Sequence, residues 1–211
     1  MLADGQQEQF KTSTQLLYSI EESLSTICDP EEIIDESDWA PIIGGLSQPL
    51  TPEQFEIQVS ITRHKLLHAR TQMSHRQRGL LWPKLLRVEE AQAVHSSLLY
   101  SKLLQFDNPE ADLQIGKDVA RTLSDLNLWT EDLNAGNNKL FNVLKAYANY
   151  DNEVGYVQGI NYIVGMLLFY IEDEETVFWC LFQLMQGRWQ WRWIYTEGLP
   201  KLQSLLSLLS E

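Results

Sequence analysis

"IGKDVARTL" occupies residues 115–123, and its spacing decides what kind of fold follows. At 100° per residue Ile115, Val119 and Leu123 fall on one face, which is the repeat of an amphipathic helix and not the alternation of a strand. Arg121 points about 160° from the centre of that face. The pattern leaves two readings open: Arg121 is a solvated surface charge, or it is aimed at something.

The same period extends along most of the chain. It predicts helices near 52–72, 79–86, 89–106, 113–126, 137–150, 157–171, 174–187 and 198–210. "TPEQ" at 51–54 has the form of a capped helix start, with Thr51 as cap, Pro52 at the first position and Gln54 at the third. "DNPEAD", "NLWTEDLNAGN" and "YDNEVG" hold the breakers Pro109, Gly136 and Gly155 and are expected to be connections. No alternating strand pattern and no repeat of fixed period occurs. The expected fold is all-α, an irregular multi-helix array with mixed crossing angles.

Residues 1–50 read as an acidic N-terminal arm. Residues 1–54 carry eleven acidic side chains against Lys11, a net of −10, whereas the remainder of the chain is nearly balanced. Leu17, Ile20, Leu24 and Ile27 suggest one short amphipathic helix, Asp29-Pro30 starts another, and "DWAPIIGGLSQPL" reads as a linker. No basic excess points to nucleic acid. The longest apolar run, Ile160 to Ile171, contains Asn161 and falls short of the roughly 20 residues a bilayer span requires. Cys28 and Cys180 have no spacing that suggests a disulfide framework or zinc. A reducing, cytoplasmic setting is expected.

Most features that could carry chemistry have plain explanations. His64 and His68 have the i,i+4 spacing of two metal ligands, but Lys65, Leu66 and Leu67 between them lack the metalloprotease pattern, and no metal is expected. Arg63 to Val88 contains seven basic residues and no acidic one, either a solvated helix pair, a face for an acidic partner or phosphate, or a surface against which the acidic N-terminal arm lies. "RWQWRWIY" at 188–195 is expected to cover the end of a core, and the acids of "IEDEET" at 171–176 complement the dipole of the helix that follows. No nucleophile elbow and no phosphate-binding glycine loop is present. What remains is "IGKDVARTL" together with "GYVQGINYIVG" at 155–165. There Gln158 stands at the mouth of a buried helix, either capping it or projecting its amide outward.

These segments resemble the TBC-domain family, the GTPase-activating proteins of Rab-type small GTPases. "RGLLWPKLL" (78–86) is similar to the family's opening Arg…Trp motif, "IGKDVART" (115–122) matches I-x-x-D-x-x-R-T, and "YVQG" (156–159) matches Y-x-Q-G, in the family's order. The resemblance covers about residues 51–211. It departs at "TQMSHRQ", which replaces a Gly-Ile-Pro-like lead-in, and at Ile160, where Met is usual. In the family several helices follow the segment that "EGLPKLQSLLSLL" resembles, so the domain is expected to be incomplete at its C-terminus.

The resemblance implies that Arg121 acts as an arginine finger on the β- and γ-phosphates and that Gln158 orients the attacking water. Asp118 would orient the Arg121 guanidinium, and Tyr156 would fix the loop presenting Gln158. Thr122 and Gly159 complete the two motifs, and Arg78 and Trp82 would be structural. GTP and Mg²⁺ would belong to the partner, with no cofactor of the chain's own. Recruitment to endomembranes would come through that GTPase and not through insertion. The alternative function is a weak or inactive TBC-like binding module that holds a small GTPase or another partner.

Overall fold

The computed structural model of the chain describes residues 36–68, 74–126, 133–196 and 203. The expectations for the arm before residue 36, for Cys28 and for the helix at 198–210 lie outside these residues, Gln203 excepted. Every element among them is helical, as the period predicted. The chain separates into two units between Gln77 and Arg78.

In the first unit α1 (Glu36–Leu46) packs on α2 (Pro52–His68). Helix α1 corrects the linker reading, since it runs through Pro41 and the Gly44–Gly45 pair. Those residues oppose helix by roughly 1–3 kcal/mol each. Trp39, Ile42 and Leu46, spaced three and four apart, are all buried and offset that cost. Helix α2 opens with the expected reciprocal cap: the Gln54 N–H donates to Thr51 Oγ1 at 3.2 Å and the Thr51 N–H to Gln54 Oε1 at 2.9 Å. The same device starts α3 (His75–Leu85), where the Ser74 N–H donates to Gln77 Oε1 at 2.9 Å. The "SHRQ" that breaks the family's lead-in is thus itself a helix start.

The second unit contains most of α3, then α4 (Val88–Val94), α5 (Leu99–Leu104), α6 (Pro109–Leu126), α7 (Leu133–Tyr150), α8 (Ile160–Tyr170), α9 (Glu174–Gln186) and the short α10 (Arg192–Tyr195). Helix α7 is its centre and packs against α5, α6, α8 and α9. Leu140, Val143, Leu144 and Tyr147 form its buried stripe. Helix α9 is buried on nearly every side, from Val177 through Phe182. Its Asp173 cap accepts from the Thr176 N–H at 2.8 Å, and Glu174 and Glu175 occupy its first turn, as the acid cluster suggested.

Several boundaries differ from the sequence reading: α3 begins at His75 and not near 79, α7 begins at Leu133 and runs through Gly136, a residue expected in a connection, and α8 begins at Ile160 and not near 157. The helix expected over 89–106 is broken at His95, which is extended, with Ser96 and Ser97 turning the chain. Helix α6 begins four residues earlier than expected: Asn108 Oδ1 accepts from the Ala111 N–H at 3.3 Å and Pro109 takes the first position, so this proline starts a helix. No described helix is long and apolar enough to cross a membrane.

Candidate functional site

Helix α6 buries Ala111, Ile115, Asp118, Val119 and Thr122. The inward face therefore includes two polar residues and is rotated from the aliphatic stripe. At 100° per residue Arg121 lies about 100° from its centre, at the margin of the contact and not opposite it. The Arg121 side chain is 51% exposed while that of Asp118 is 12% exposed.

Asp118 is the hub. Its Oδ1 accepts from Arg121 Nη2 at 2.6 Å, and its Oδ2 accepts from the Tyr156 hydroxyl at 2.6 Å. One carboxylate thus joins the arginine of the first motif to the tyrosine of the second. Burial, then the hydrogen bond to Asp118, pushes the Tyr156 phenol well above its ordinary range. Thr122 donates its hydroxyl to the Asp118 carbonyl at 2.6 Å and accepts from Asn161 Nδ2 at 2.7 Å. The Asn161 Oδ1 accepts from the Gly159 N–H at 2.8 Å.

Gly159 occupies the N-cap of α8 with φ 110°, a left-handed conformation that a side chain would strain. Gly159 has no side chain with which to cap the helix. Gln158 is exposed. Of the two readings of Gln158, outward projection is the one that this arrangement accommodates.

The loop from Asp151 to Gly159 is held at its start as well. Asp151 is buried and accepts from Arg192 Nε at 2.8 Å, Gln186 Nε2 at 2.7 Å, the Tyr147 hydroxyl at 3.2 Å and the Val154 N–H at 3.3 Å. Burial alone would raise its carboxyl, but the Arg192 hydrogen bonds and charge hold it below the usual carboxylate range. Arg192 also pairs with Glu153. The loop is fixed at Asp151, Tyr156 and Gly159, and Val157 packs against the core, which leaves Gln158 as its exposed residue between Tyr156 and Gly159.

The Arg…Trp segment converges on Tyr170 at the end of α8. The Arg78 guanidinium lies 5.8 Å from the Tyr170 ring centroid, and Trp82 meets that ring edge-on at 4.8 Å. Between them, a Cβ on Gly79 would sit 2.1 Å from the Tyr170 carbonyl oxygen, so the helix approaches at a distance only glycine allows. Neither Arg78 nor Trp82 joins the Asp118 network in the hydrogen bonds and ring contacts described. Of the basic stretch, Lys84 pairs with Glu89 and Arg87 with Glu90, so α4 supplies the acids that the stretch itself lacks. Among the described residues no His, Cys, Asp and Glu cluster could hold a metal, and the side chains of His64 and His68 lie outside them.

"RWQWRWIY" covers the core only in part. Trp191 and Tyr195 pack against it, whereas Trp189 and Trp193 are exposed. Trp189 lines an apolar groove of about 530 Å³ with Trp82, Leu85, Tyr162, Met166 and Leu184. Three site residues escaped the sequence reading: Asn161, Asp151 and Arg192. Asn161 left a signal, being the polar residue inside the longest apolar run.

The family model described as Rab-GTPase-TBC domain matches residues 75–211. Relatives include the human ecotropic viral integration site 5 protein homolog, 35% identical over 61% of this chain and 15% of that protein. TBC1 domain family member 2B of Xenopus tropicalis is 36% identical over 56% of this chain and 13% of its own length. The Rab GTPase-activating protein eat-17 of Caenorhabditis elegans is 37% identical over 44% of this chain and 9% of that protein. The matched region thus spans less than a sixth of each of these relatives.

Proposed function

The chain belongs to the Rab-GTPase-TBC domain family, and on that premise we propose that it stimulates GTP hydrolysis on a Rab-type small GTPase, with Arg121 and Gln158 working in the partner's nucleotide site. The observation that carries this reading is the Asp118 carboxylate, which receives Arg121 and Tyr156 on its two oxygens at 2.6 Å each. A surface arginine needs no such buried partner. An arginine that must enter another protein's active site benefits from one, because its orientation is fixed before contact.

The chemistry suits the residues. Phosphoryl transfer requires positioning and charge neutralisation and no covalent catalyst from the activator. Arg121 supplies a permanently charged planar fork that can pair with phosphate oxygens bidentately. A finger of this kind contributes roughly 10³ to 10⁵ in rate. Gln158, at the tip of the pinned loop, presents an amide that can both donate to and accept from an attacking water. The nucleotide and its Mg²⁺ are the partner's, and any membrane recruitment follows the partner.

Single-turnover GTP hydrolysis on a panel of Rab-type GTPases tests this. The wild-type chain should accelerate at least one of them, and Arg121→Ala and Gln158→Ala should each lose most of that acceleration while still binding. Binding by all three proteins with equal, unaccelerated hydrolysis would establish the binding-module function instead.

A further inference from the structure

Thr122 directly follows Arg121, and Gly159 directly follows Gln158. One side chain joins the two. Asn161 is fully buried in a helix whose other inward residues are apolar. Its amide spends both ends on this join: Nδ2 donates to Thr122 Oγ1 at 2.7 Å and Oδ1 accepts from the Gly159 N–H at 2.8 Å. Thr122 in turn grips the Asp118 carbonyl at 2.6 Å, one turn back on α6.

The bond from the Gly159 N–H is local and closes the start of α8, as a cap would, but the bond to Thr122 reaches 39 residues back to α6 and serves no need of α8. We infer that Asn161 is a positioning residue that straps the Gln158 loop to the Arg121 turn through Thr122, so that the two residues approach a bound GTPase in fixed register. The inference rests on the function proposed above for Arg121 and Gln158. It differs from the Tyr156–Asp118 bond in what it holds: that bond orients the guanidinium, whereas the Asn161 strap sets the separation between the two backbones.

A strap of two neutral hydrogen bonds in a dry site is rigid because breaking either bond leaves a buried polar atom unpaired. Loosening it should scatter the relative placement of the reacting groups without removing either of them. The cost then falls on turnover and not on association.

The test uses the full chain with Thr122→Val, Thr122→Ser, Asn161→Ala and the double variant Thr122→Val/Asn161→Ala. Asn149→Ala serves as the control, because it removes a side chain that ties α7 to the Leu103 and Phe106 carbonyls and to Asn108 at the far end of α6 from Thr122. The first readout is hydrogen exchange of the Gly159 amide by NMR, which needs no partner. Exchange should quicken at least tenfold in Thr122→Val and stay near wild type in Thr122→Ser and Asn149→Ala. The second is GTPase stimulation, where Thr122→Val should lose at least tenfold in kcat with KM within about twofold, Thr122→Ser should recover most of it, and the double variant should lose no more than the worse single one. An unchanged Gly159 exchange rate in Thr122→Val overturns the strap. Faster exchange with unchanged kcat overturns its role in turnover. If Arg121→Ala and Gln158→Ala behave as wild type, the finger reading fails, and the strap is still decided by exchange.

Discussion

Tyr156 donates its hydroxyl to Asp118 Oδ2 at 2.6 Å across 38 residues of sequence, while the other oxygen of the same carboxylate holds Arg121. A carboxylate with one oxygen released is free to rotate, and Arg121 rotates with it. Tyr156→Phe removes the donor and keeps the ring. A hydrogen bond to a charged group contributes about 1.5–3 kcal/mol, so kcat for stimulated hydrolysis should fall about tenfold or more. KM should change little, because the Arg121 and Gln158 side chains remain. A Tyr156→Phe variant with wild-type kcat would show that Asp118 orients Arg121 unaided.

Gly79 and Gly116 make a paired prediction with opposite signs. Both lie inside helices. A Cβ on Gly79 would meet the backbone oxygen of Tyr170 at 2.1 Å, whereas one on Gly116 would meet nothing within 4 Å. Backbone cannot step aside as a flexible side chain can. Gly79→Ala should destabilise by about 2–3 kcal/mol, more than the helix propensity of alanine returns. Gly116→Ala should stabilise by about 0.5–1 kcal/mol. Thermal unfolding separates them, with shifts of roughly 2–4 °C per kcal/mol for a chain of this size.

How much of this was legible in the sequence follows from the range of each interaction. Period and caps are local, so the helical class, the Thr51–Gln54 cap and the acid-capped start of α9 could be read directly. Helix α1 could not, because its Pro41 and glycines speak locally against helix and only burial of Trp39 decides otherwise. The motifs singled out Arg121, Gln158, Asp118 and Tyr156. The join between Asp118 and Tyr156, and the pairing of Asp151 with Arg192 across 41 residues, exist only once α6 has packed on α8 and α10 has come to the end of α7. Asn161 lay between these cases: its polarity in an apolar run was visible, its partners were not.

Cys180 is fully buried, and burial raises its thiol well above the ordinary range. The thiolate is the reactive form. In a Cys28→Ser background, alkylation of Cys180 at pH 8 should therefore require opening of α9 out of the core. Labelling should be at least about 10³-fold slower in the native chain than in denaturant, in line with the stability of an ordinary domain. Rapid native labelling would mean that α9 opens locally.

Asp151 ties the acid side of the stability curve to the loop that ends at Gly159. Its carboxyl is held below the usual range in the folded chain, so the unfolded chain takes up the proton first as pH falls. The contribution is complete above the ordinary carboxylate range and is lost as the pH drops through that range toward the depressed folded value. Asp151→Asn should destabilise by about 3 kcal/mol near neutral pH, since it leaves the mostly buried Arg192 without its buried anion and with only the exposed Glu153 beside it. It should also flatten the fall in stability that the wild type shows as the pH drops below about 5. Arg192→Ala should act in the same direction but further, because it also releases Glu153 and leaves Asp151 buried with no cation. Denaturant titrations at several pH values give the slope directly. If Asp151→Asn lowers stability by the same amount at every pH, the carboxyl titrates alike in the folded and unfolded chains, and the hydrogen bonds from Gln186, Tyr147 and the Val154 amide hold the loop without help from its charge.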